Sequence, residues 1–234
     1  MTVMVTGGSR GIGLAIAQEL AKAGHQLLLV ARNARRLERA AHAIRETSAA
    51  EVQYLTCDLA SLDDIEKLHT ACVAAGFRPN VLVLNAGLFI EGSLMESSDA
   101  AFADSLNVNL VSMYRVVKSF VRSLKAMNGS RIILIGSTGG FEAYPGGALC
   151  GVAKWGVRGF AVNLRHELMG AGVGVTLVAP GGTLTDAWAG EEIPEGRLLE
   201  PADIGKLVAA TLTLSSQAVV EEIIVRPMLG DIRA

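Results

Sequence analysis

Short apolar runs alternate with longer amphipathic stretches along the whole chain. The apolar runs lie at residues 2–5, 26–31, 52–56, 81–84, 131–135, 173–178 and 222–225. Most are continuously apolar rather than alternating with polar residues, which is typical of parallel strands that are covered on both faces. The stretches between them have the three-to-four-residue spacing of helices. This pattern predicts an α/β fold with a doubly wound parallel sheet of about seven strands.

The helical stretches carry their apolar residues on one face. Ile12, Ile16 and Leu20 share a face of the first predicted helix. A longer stripe predicts one helix over residues 101–124, and another covers residues 150–169. Because the pattern contains no internal repeat, linker or low-complexity tract, we expect a single domain over the whole chain, residues 1–234.

Composition narrows the class of protein. Hydrophobic residues make up 50% of the chain and charged residues 19%, which is too apolar for a disordered protein. No apolar run exceeds five residues, so no membrane partner is expected. The net charge of −2 argues against nucleic acid as a partner. Cys57, Cys72 and Cys150 contain no C-x-x-C pair, so neither a disulfide framework nor a metal site is indicated. No signal or transit peptide is recognisable, and we expect a cytoplasmic protein.

Glycine is the compositional exception, with 26 of the 234 residues. Several glycines lie between the first strand and the first helix, in the segment Thr6-Gly7-Gly8-Ser9-Arg10-Gly11-Ile12-Gly13. Glycines at such a turn let backbone N–H groups approach a pyrophosphate, and the helix N-terminus adds partial positive charge. A strand-to-helix turn with chance glycines is the alternative. The position after the first strand favours a Rossmann-type dinucleotide site.

This segment, with the spacing T-G-x-x-x-G-x-G, resembles the cofactor loop of the short-chain dehydrogenase/reductase family, and the resemblance runs over nearly the full length. In the loop it implies cofactor contacts from Gly7, Ser9, Arg10, Gly11, Ile12 and Gly13. Further along it implies cofactor contacts from Asp58, Leu59, Asn85, Ala86, Gly87, Lys154, Pro180, Gly181 and Thr185. The catalytic positions that match are Asn109, Ser137 and Lys154. Taken together and in the family's order, these matches indicate the family more specifically than any single motif does.

Several of these matches have a simpler structural interpretation. Asp58 could cap the helix that follows it, Asn109 could be a buried polar group, and Thr185 could be an ordinary loop residue. Pro180 and Gly181 could serve only to end a strand. Packing alone does not readily explain why all of them occur in the family's order.

The residues after the second strand indicate which nicotinamide cofactor is used. In such folds an acidic residue there binds the ribose of NAD, whereas an arginine accommodates the 2′-phosphate of NADP. Here the acidic position is Ala31, Arg32 follows it, and Arg10 can face the same phosphate. These arginines could instead belong to a solvated helix face, which we accept for the later arginines of the second helix. We expect NADPH and NADP+ to be preferred over NADH.

The chain departs from the family pattern at the catalytic tyrosine. The family motif is Y-x-x-x-K, thirteen residues after the serine, and this chain reads Cys150-Gly151-Val152-Ala153-Lys154 at that place. The spacing puts Cys150 and Lys154 on one helix face. A thiol is the stronger acid, with a pKa of about 8.5 against about 10 for a phenol. Its side chain is several ångströms shorter, however, and proton transfer requires about 2.6–3.2 Å or one bridging water. Direct donation from Cys150 is therefore not expected.

Four interpretations of Cys150 remain open. The site could bind NADPH but turn over slowly, or a water could relay the proton from Cys150 or Lys154. Cys150 could be a nucleophile activated by Lys154, with His166 the nearest downstream histidine. It could also be a substitution in an otherwise ordinary reductase, and Cys150→Tyr should then raise turnover. Tyr144 could enter the site from the preceding loop, although a packing role is favoured for it.

The resemblance also implies a substrate lid after Thr185, which is short here, at residues 186–200. Trp188 could cover the substrate or lie on the surface. In the family the two long apolar helices pair between subunits, so a homodimer or homotetramer is expected, although the same stripes could only cover the sheet. The expected function is NADP(H)-dependent oxidoreduction of a carbonyl or alcohol substrate. The alternative is a catalytically weak NADP(H)-binding sensor or partner subunit.

Overall fold

The computed structural model describes residues 1–90 and 92–232. Its strands are β1 Thr2–Thr6, β2 Gln26–Ala31, β3 Val52–Thr56, β4 Val81–Leu84, β5 Arg131–Ile135, β6 Gly174–Pro180 and β7 Glu222–Val225. They form one parallel sheet in the order β3-β2-β1-β4-β5-β6-β7. The predicted seven-stranded, doubly wound α/β fold is confirmed.

The described helices connect successive strands and cover both faces of the sheet. They are α1 Gly11–Lys22, α2 Ala34–Thr47, α3 Leu62–Ala74, α4 Asp99–Leu106, α5 Ser112–Lys125, α6 Cys150–Leu168 and α7 Pro201–Leu212. Side chains of α1, α2 and α7 pack into one apolar core, and side chains of α3, α5 and α6 pack into the other. In β1, Val3 and Val5 face the first core while Met4 faces the second. The central strands are almost continuously apolar because both of their faces are buried, whereas the edge strands β3 and β7 are partly exposed.

The helix expected over residues 101–124 is interrupted, and that expectation is corrected. Helix α4 ends at Leu106, a π-helical turn spans Asn107–Val111, and α5 begins at Ser112. A π turn inserts about one extra residue into a helix and often occurs at functional sites. Hydrophobic spacing does not reveal it, because the apolar stripe continues from α4 into α5.

The topology brings the loops after the strands to one edge of the sheet. All strands run in the same direction, so their carboxyl ends share that edge. From β1 the chain adds β2 and β3 on one side of the sheet, and β4 to β7 on the other side. In open α/β sheets, ligands bind where the direction of this connection changes, here between β1 and β4. Within residues 1–90 and 92–232, no helix is long and apolar enough to cross a membrane.

Candidate active site

The glycine loop links β1 to α1 in a conformation that depends on its glycines. Gly7 and Gly11 have φ values of +67° and +54°, a region that strains other residues. A Cβ on Gly13 would overlap the carbonyl oxygen of Gly7 and Nδ2 of Asn85, and would lie 2.8 Å from the carbonyl carbon of Gly7. The third glycine therefore lets the first turn of α1 pack directly against the loop, as a dinucleotide-binding turn requires.

The residues after β4 brace this loop. Nδ2 of Asn85 donates hydrogen bonds to the carbonyl oxygens of Thr6 at 3.1 Å and of Gly7 at 3.4 Å. The main-chain N–H groups of Asn85 and Ala86 both donate to Oγ1 of Thr6, at 3.0 and 3.1 Å. Two of the predicted cofactor residues thus act on the shape of the glycine loop itself.

An exposed ion pair joins the glycine loop to the segment after β6. Arg10 donates from Nη1 to Oδ2 of Asp186 at 2.7 Å, and the two side chains are 57% and 66% exposed. Beside this pair, a Cβ on Gly11 would lie 3.3 Å from Cγ2 of Thr185. Arg32 is exposed immediately past β2. Sequence reasoning missed Asp186, because no motif marks an acidic residue that meets the loop from so far along the chain.

Other predicted cofactor residues line the same edge. Ser9 and Ile12 are half-buried on either side of Arg10. Asp58 is half-buried after β3, with Leu59 buried beside it. Oδ1 of Asp58 accepts a hydrogen bond from the N–H of Ala60 at 3.0 Å. The side chain of Ser61, not of Asp58, caps α3, so the alternative role as a helix cap does not apply to Asp58.

Asn109, in the π turn, fastens the loop that follows β4. Its side chain is fully buried. Oδ1 accepts from the N–H of Leu88 at 2.9 Å, and Nδ2 donates to the carbonyl of Leu88 at 2.9 Å and to Oγ of Ser105 at 3.3 Å. A Cβ on Gly87 would lie 2.9 Å from Oδ1 of Asn109. Gly87 therefore allows the loop to approach the asparagine closely.

Ser137 and Lys154 meet at the carboxyl end of β5. Oγ of Ser137 accepts a hydrogen bond from the N–H of Gly139 at 3.1 Å. Nζ of Lys154 donates to the carbonyl oxygen of Gly136 at 3.3 Å. Burial lowers the pKa of Lys154, and the charge of a Cys150 thiolate opposes that shift. Lys154 therefore contacts the main chain of the residue that precedes Ser137.

Cys150 begins α6, but its thiol is enclosed by main chain. The residue is 2% exposed. Sγ accepts from the N–H of Ile90 at 3.0 Å and lies 3.2 Å from the carbonyl oxygen of Ile90 and 3.5 Å from that of Leu88. The backbone of residues 88–90 occupies the space beyond the sulfur. A longer side chain at this position would have to displace that backbone.

The C-terminal segment packs beneath the loop after β6. Pro180 ends β6, and the Asp231 carboxylate lies so close to Gly181 that a Cβ there would overlap it. Arg226 forms an ion pair with Asp231 and a second with Glu142 at 2.8 Å. Sequence reasoning missed this network, because its members come from three distant segments that carry no shared motif.

Comparison with known proteins gives consistent matches over most of the chain. A family model described as short chain dehydrogenase matches residues 1–195. The 3-oxoacyl-[acyl-carrier-protein] reductase FabG of Haemophilus influenzae is 34% identical over 216 residues, with 88% of each chain covered.

Solved structures agree in fold. An alcohol dehydrogenase from the archaeon Thermococcus sibiricus, complexed with 5-hydroxy-NADP, superposes with a TM-score of 0.90 at 30% identity, covering 99% of this chain and 98% of that one. An NADPH-bound short chain oxidoreductase from Pseudomonas aeruginosa PAO1, described as containing an atypical catalytic center, gives a TM-score of 0.87 at 25% identity. Its match covers 98% of this chain and 96% of that one.

Proposed function

This chain belongs to the short-chain dehydrogenase family, and we propose that it is an NADP(H)-dependent oxidoreductase acting on a carbonyl or alcohol substrate. The observation that carries the proposal is a glycine loop shaped for a dinucleotide at the same sheet edge as Ser137 and Lys154. The solved structures that resemble this chain include NADP(H) complexes, and its curated relatives include a 3-oxoacyl-[acyl-carrier-protein] reductase.

The described residues fit a dinucleotide. The positive φ of Gly7 and Gly11 and the missing Cβ of Gly13 leave the main chain of the loop open to a pyrophosphate. The residues proposed to hold the cofactor are Gly7, Ser9, Arg10, Gly11, Ile12, Gly13, Arg32, Asp58, Leu59, Asn85, Ala86, Gly87, Lys154, Pro180, Gly181 and Thr185. When bound, the reduced nicotinamide supplies a hydride.

Arg10 and Arg32 support a preference for the phosphorylated cofactor. Both side chains are exposed at the carboxyl edge, and Ala31 provides no carboxylate to bind a ribose 2′-hydroxyl. Because Arg10 is paired with Asp186, the 2′-phosphate competes with that carboxylate for the guanidinium. An exposed pair contributes only about 0–1 kcal/mol, so a phosphate can replace the carboxylate at small cost.

Ser137 and Lys154 are proposed to act on the substrate and the cofactor. The Ser137 hydroxyl can donate a hydrogen bond to the substrate oxygen as negative charge develops on it. Lys154 contributes positive charge in a half-buried place, where electrostatic interactions are stronger than in water. Asn109 acts indirectly by fixing residues 88–90 through its two bonds to Leu88.

Cys150 is proposed to occupy the position of the family's catalytic tyrosine, thirteen residues after Ser137 and four before Lys154. Its enclosure by the main chain of Leu88 and Ile90 argues against the thiol as a direct proton donor or nucleophile. It supports a role in holding that loop against α6. The proton needed for reduction then comes from another group.

Further parts of the proposal concern substrate, lid and assembly. The similarity to a 3-oxoacyl-carrier-protein reductase makes 3-oxoacyl thioesters the first substrates to examine. Residues 186–200 are proposed as the lid of a single domain, because the N–H of Leu184 donates to the carbonyl of Leu199 at 2.9 Å and closes the segment into a loop.

We also propose that the protein forms a homodimer or homotetramer in the cytoplasm. The interface would be built on exposed apolar residues of α5 and α6 such as Tyr114 and Trp155.

A second candidate is an NADP(H)-binding protein without turnover, and the enclosed thiol of Cys150 is the observation that favours it. Two measurements separate the candidates. Thermal unfolding with NADPH or NADH tests binding, since a ligand at 100 times its Kd stabilises by about 2.7 kcal/mol. Loss of absorbance at 340 nm with acetoacetyl-CoA and simple ketones tests turnover. The oxidoreductase proposal requires both stabilisation by NADPH and turnover, whereas the second candidate requires stabilisation alone.

A further inference from the structure

Two glycines near Ser137 make room for the ring of Tyr144, and a third borders it. A Cβ on Gly139 would lie 2.6 Å from Cε1 of Tyr144, and one on Gly147 would lie 3.0 Å from both Cε1 and Cζ. A Cβ on Gly151 would lie 3.6 Å from Cε1. The phenol ring therefore fills a cradle whose walls come from the turn after Ser137, the loop before α6 and the first turn of α6.

This cradle adjoins the catalytic groups. The Cβ position of Gly139 that lies 2.6 Å from the Tyr144 ring is also 3.5 Å from Oγ of Ser137. The Tyr144 ring and the Ser137 hydroxyl therefore both lie close to the Cβ position of Gly139. The next residue, Gly140, packs on the main chain of Lys154, with its Cβ position 2.7 Å from the Lys154 carbonyl oxygen. One short turn consequently connects Ser137, Tyr144 and Lys154.

The loop that carries Tyr144 is anchored just before it. The guanidinium of Arg158 lies 4.0 Å from the centre of the Phe141 ring. The carboxylate of Glu142 pairs with Arg226 at 2.8 Å. Such anchors reduce the conformational freedom that must be lost to hold the ring in place, which is how a reacting group is preorganised.

We propose that Tyr144, arriving from this loop, donates the proton that a tyrosine at position 150 would otherwise supply. The inference rests on the proposed function. During reduction the substrate carbonyl carbon accepts a hydride from the reduced nicotinamide, and the C=O π electrons move onto oxygen. The O–H bond of Tyr144 breaks as this oxygen gains the proton, and the phenolate takes a proton from solvent. Cys150 does not compete for the role, because its thiol faces residues 88–90.

The variant Tyr144→Phe tests this role, since it removes the phenolic oxygen and leaves the ring in its cradle. We expect the kcat for NADPH-dependent reduction of acetoacetyl-CoA to fall about 10²–10⁴-fold, the usual contribution of a general acid. The Kd for NADPH stays at the wild-type value. Tyr54→Phe, in β3, is the matched control and retains wild-type activity.

A second readout needs no turnover. Acetoacetyl-CoA is titrated calorimetrically into the protein saturated with NADP+, where no hydride is available. Loss of one hydrogen bond to the carbonyl in Tyr144→Phe weakens this binding about 2–10-fold, whereas Tyr54→Phe leaves it unchanged.

The outcomes separate this inference from the function on which it rests. If the wild-type protein reduces acetoacetyl-CoA and Tyr144→Phe does so within threefold, with unchanged substrate binding, the role of Tyr144 is wrong and the proposed function stands. Loss of turnover in Cys150→Ser but not in Tyr144→Phe also overturns the role, in favour of a relay from the thiol. A wild-type protein that binds NADPH and reduces no carbonyl compound overturns the proposed function, and the role of Tyr144 with it.

Discussion

Cys150→Tyr places a phenol ring where the main chain of residues 88–90 already lies. The thiol is 2% exposed and accepts a hydrogen bond from Ile90 at 3.0 Å. Overfilling a packed core costs about 1–3 kcal/mol, and leaving the Ile90 N–H without an acceptor adds about 1–3 kcal/mol. We therefore expect the variant to lose about 2–6 kcal/mol of unfolding free energy, or roughly 4–24 °C in Tm for a domain of this size. It should not gain turnover.

The assay is thermal unfolding followed by circular dichroism, at equal protein concentration and without cofactor, together with NADPH oxidation in the presence of acetoacetyl-CoA. Cys150→Ser is the matched control, because its hydroxyl can still accept from Ile90, and we expect it to lose less than half as much in Tm. A Cys150→Tyr protein that unfolds within about 1 °C of wild type and turns over faster would refute the reasoning. Residues 88–90 would then be free to move, and the sequence-based expectation of rescued turnover would be correct.

Three further predictions concern the cofactor loop and the lysine. Gly13→Ala should lower NADPH affinity at least tenfold in a fluorescence titration, because the new Cβ overlaps the glycine loop. Gly170→Ala is the control, since its new Cβ contacts nothing, and it should leave the NADPH affinity unchanged. Asp186→Asn releases Arg10 from an exposed ion pair, so it should strengthen NADPH binding by up to about fivefold and leave NADH binding unchanged. Equal effects on the affinities for both cofactors would argue against a contact between Arg10 and the 2′-phosphate. Burial lowers the pKa of Lys154 below its ordinary 10.5, so without cofactor the wild-type protein should gain unfolding free energy as pH rises from that lowered pKa to 10.5. Urea unfolding should show Lys154→Met more stable than wild type at neutral pH, with the difference shrinking as pH rises, and a constant difference would contradict a lowered pKa.

The fold follows closely from the hydrophobic pattern. A strand buried on both faces has to be continuously apolar, and for that reason runs such as 81–84 and 131–135 have the observed strand bounds. The glycine loop is equally readable, because positive φ and close helix packing leave few residue types besides glycine. Local physical constraints therefore determine these features, and they appear in the local sequence.

The contacts that were missed join segments far apart in the chain. No local pattern announces that Asp186 meets Arg10, or that residues 88–90 enclose the thiol of Cys150. The π turn at Asn107–Val111 is hidden for a different reason, since its apolar residues keep the helical stripe. The local sequence favours a packing role for Tyr144, because the glycines around its ring converge only in the folded chain.

Transfer of a labelled hydride tests the proposed function most directly. The wild-type protein is incubated with acetoacetyl-CoA and other ketones and with NADPH that carries deuterium at both hydrogen positions of nicotinamide C4. The alcohol products are then analysed by mass spectrometry. The account predicts one deuterium on the carbinol carbon of the product, formed at a rate that exceeds the protein-free control. Saturating NADPH binding with no deuterated alcohol from any of these substrates would contradict it, and would leave a cofactor-binding protein without turnover.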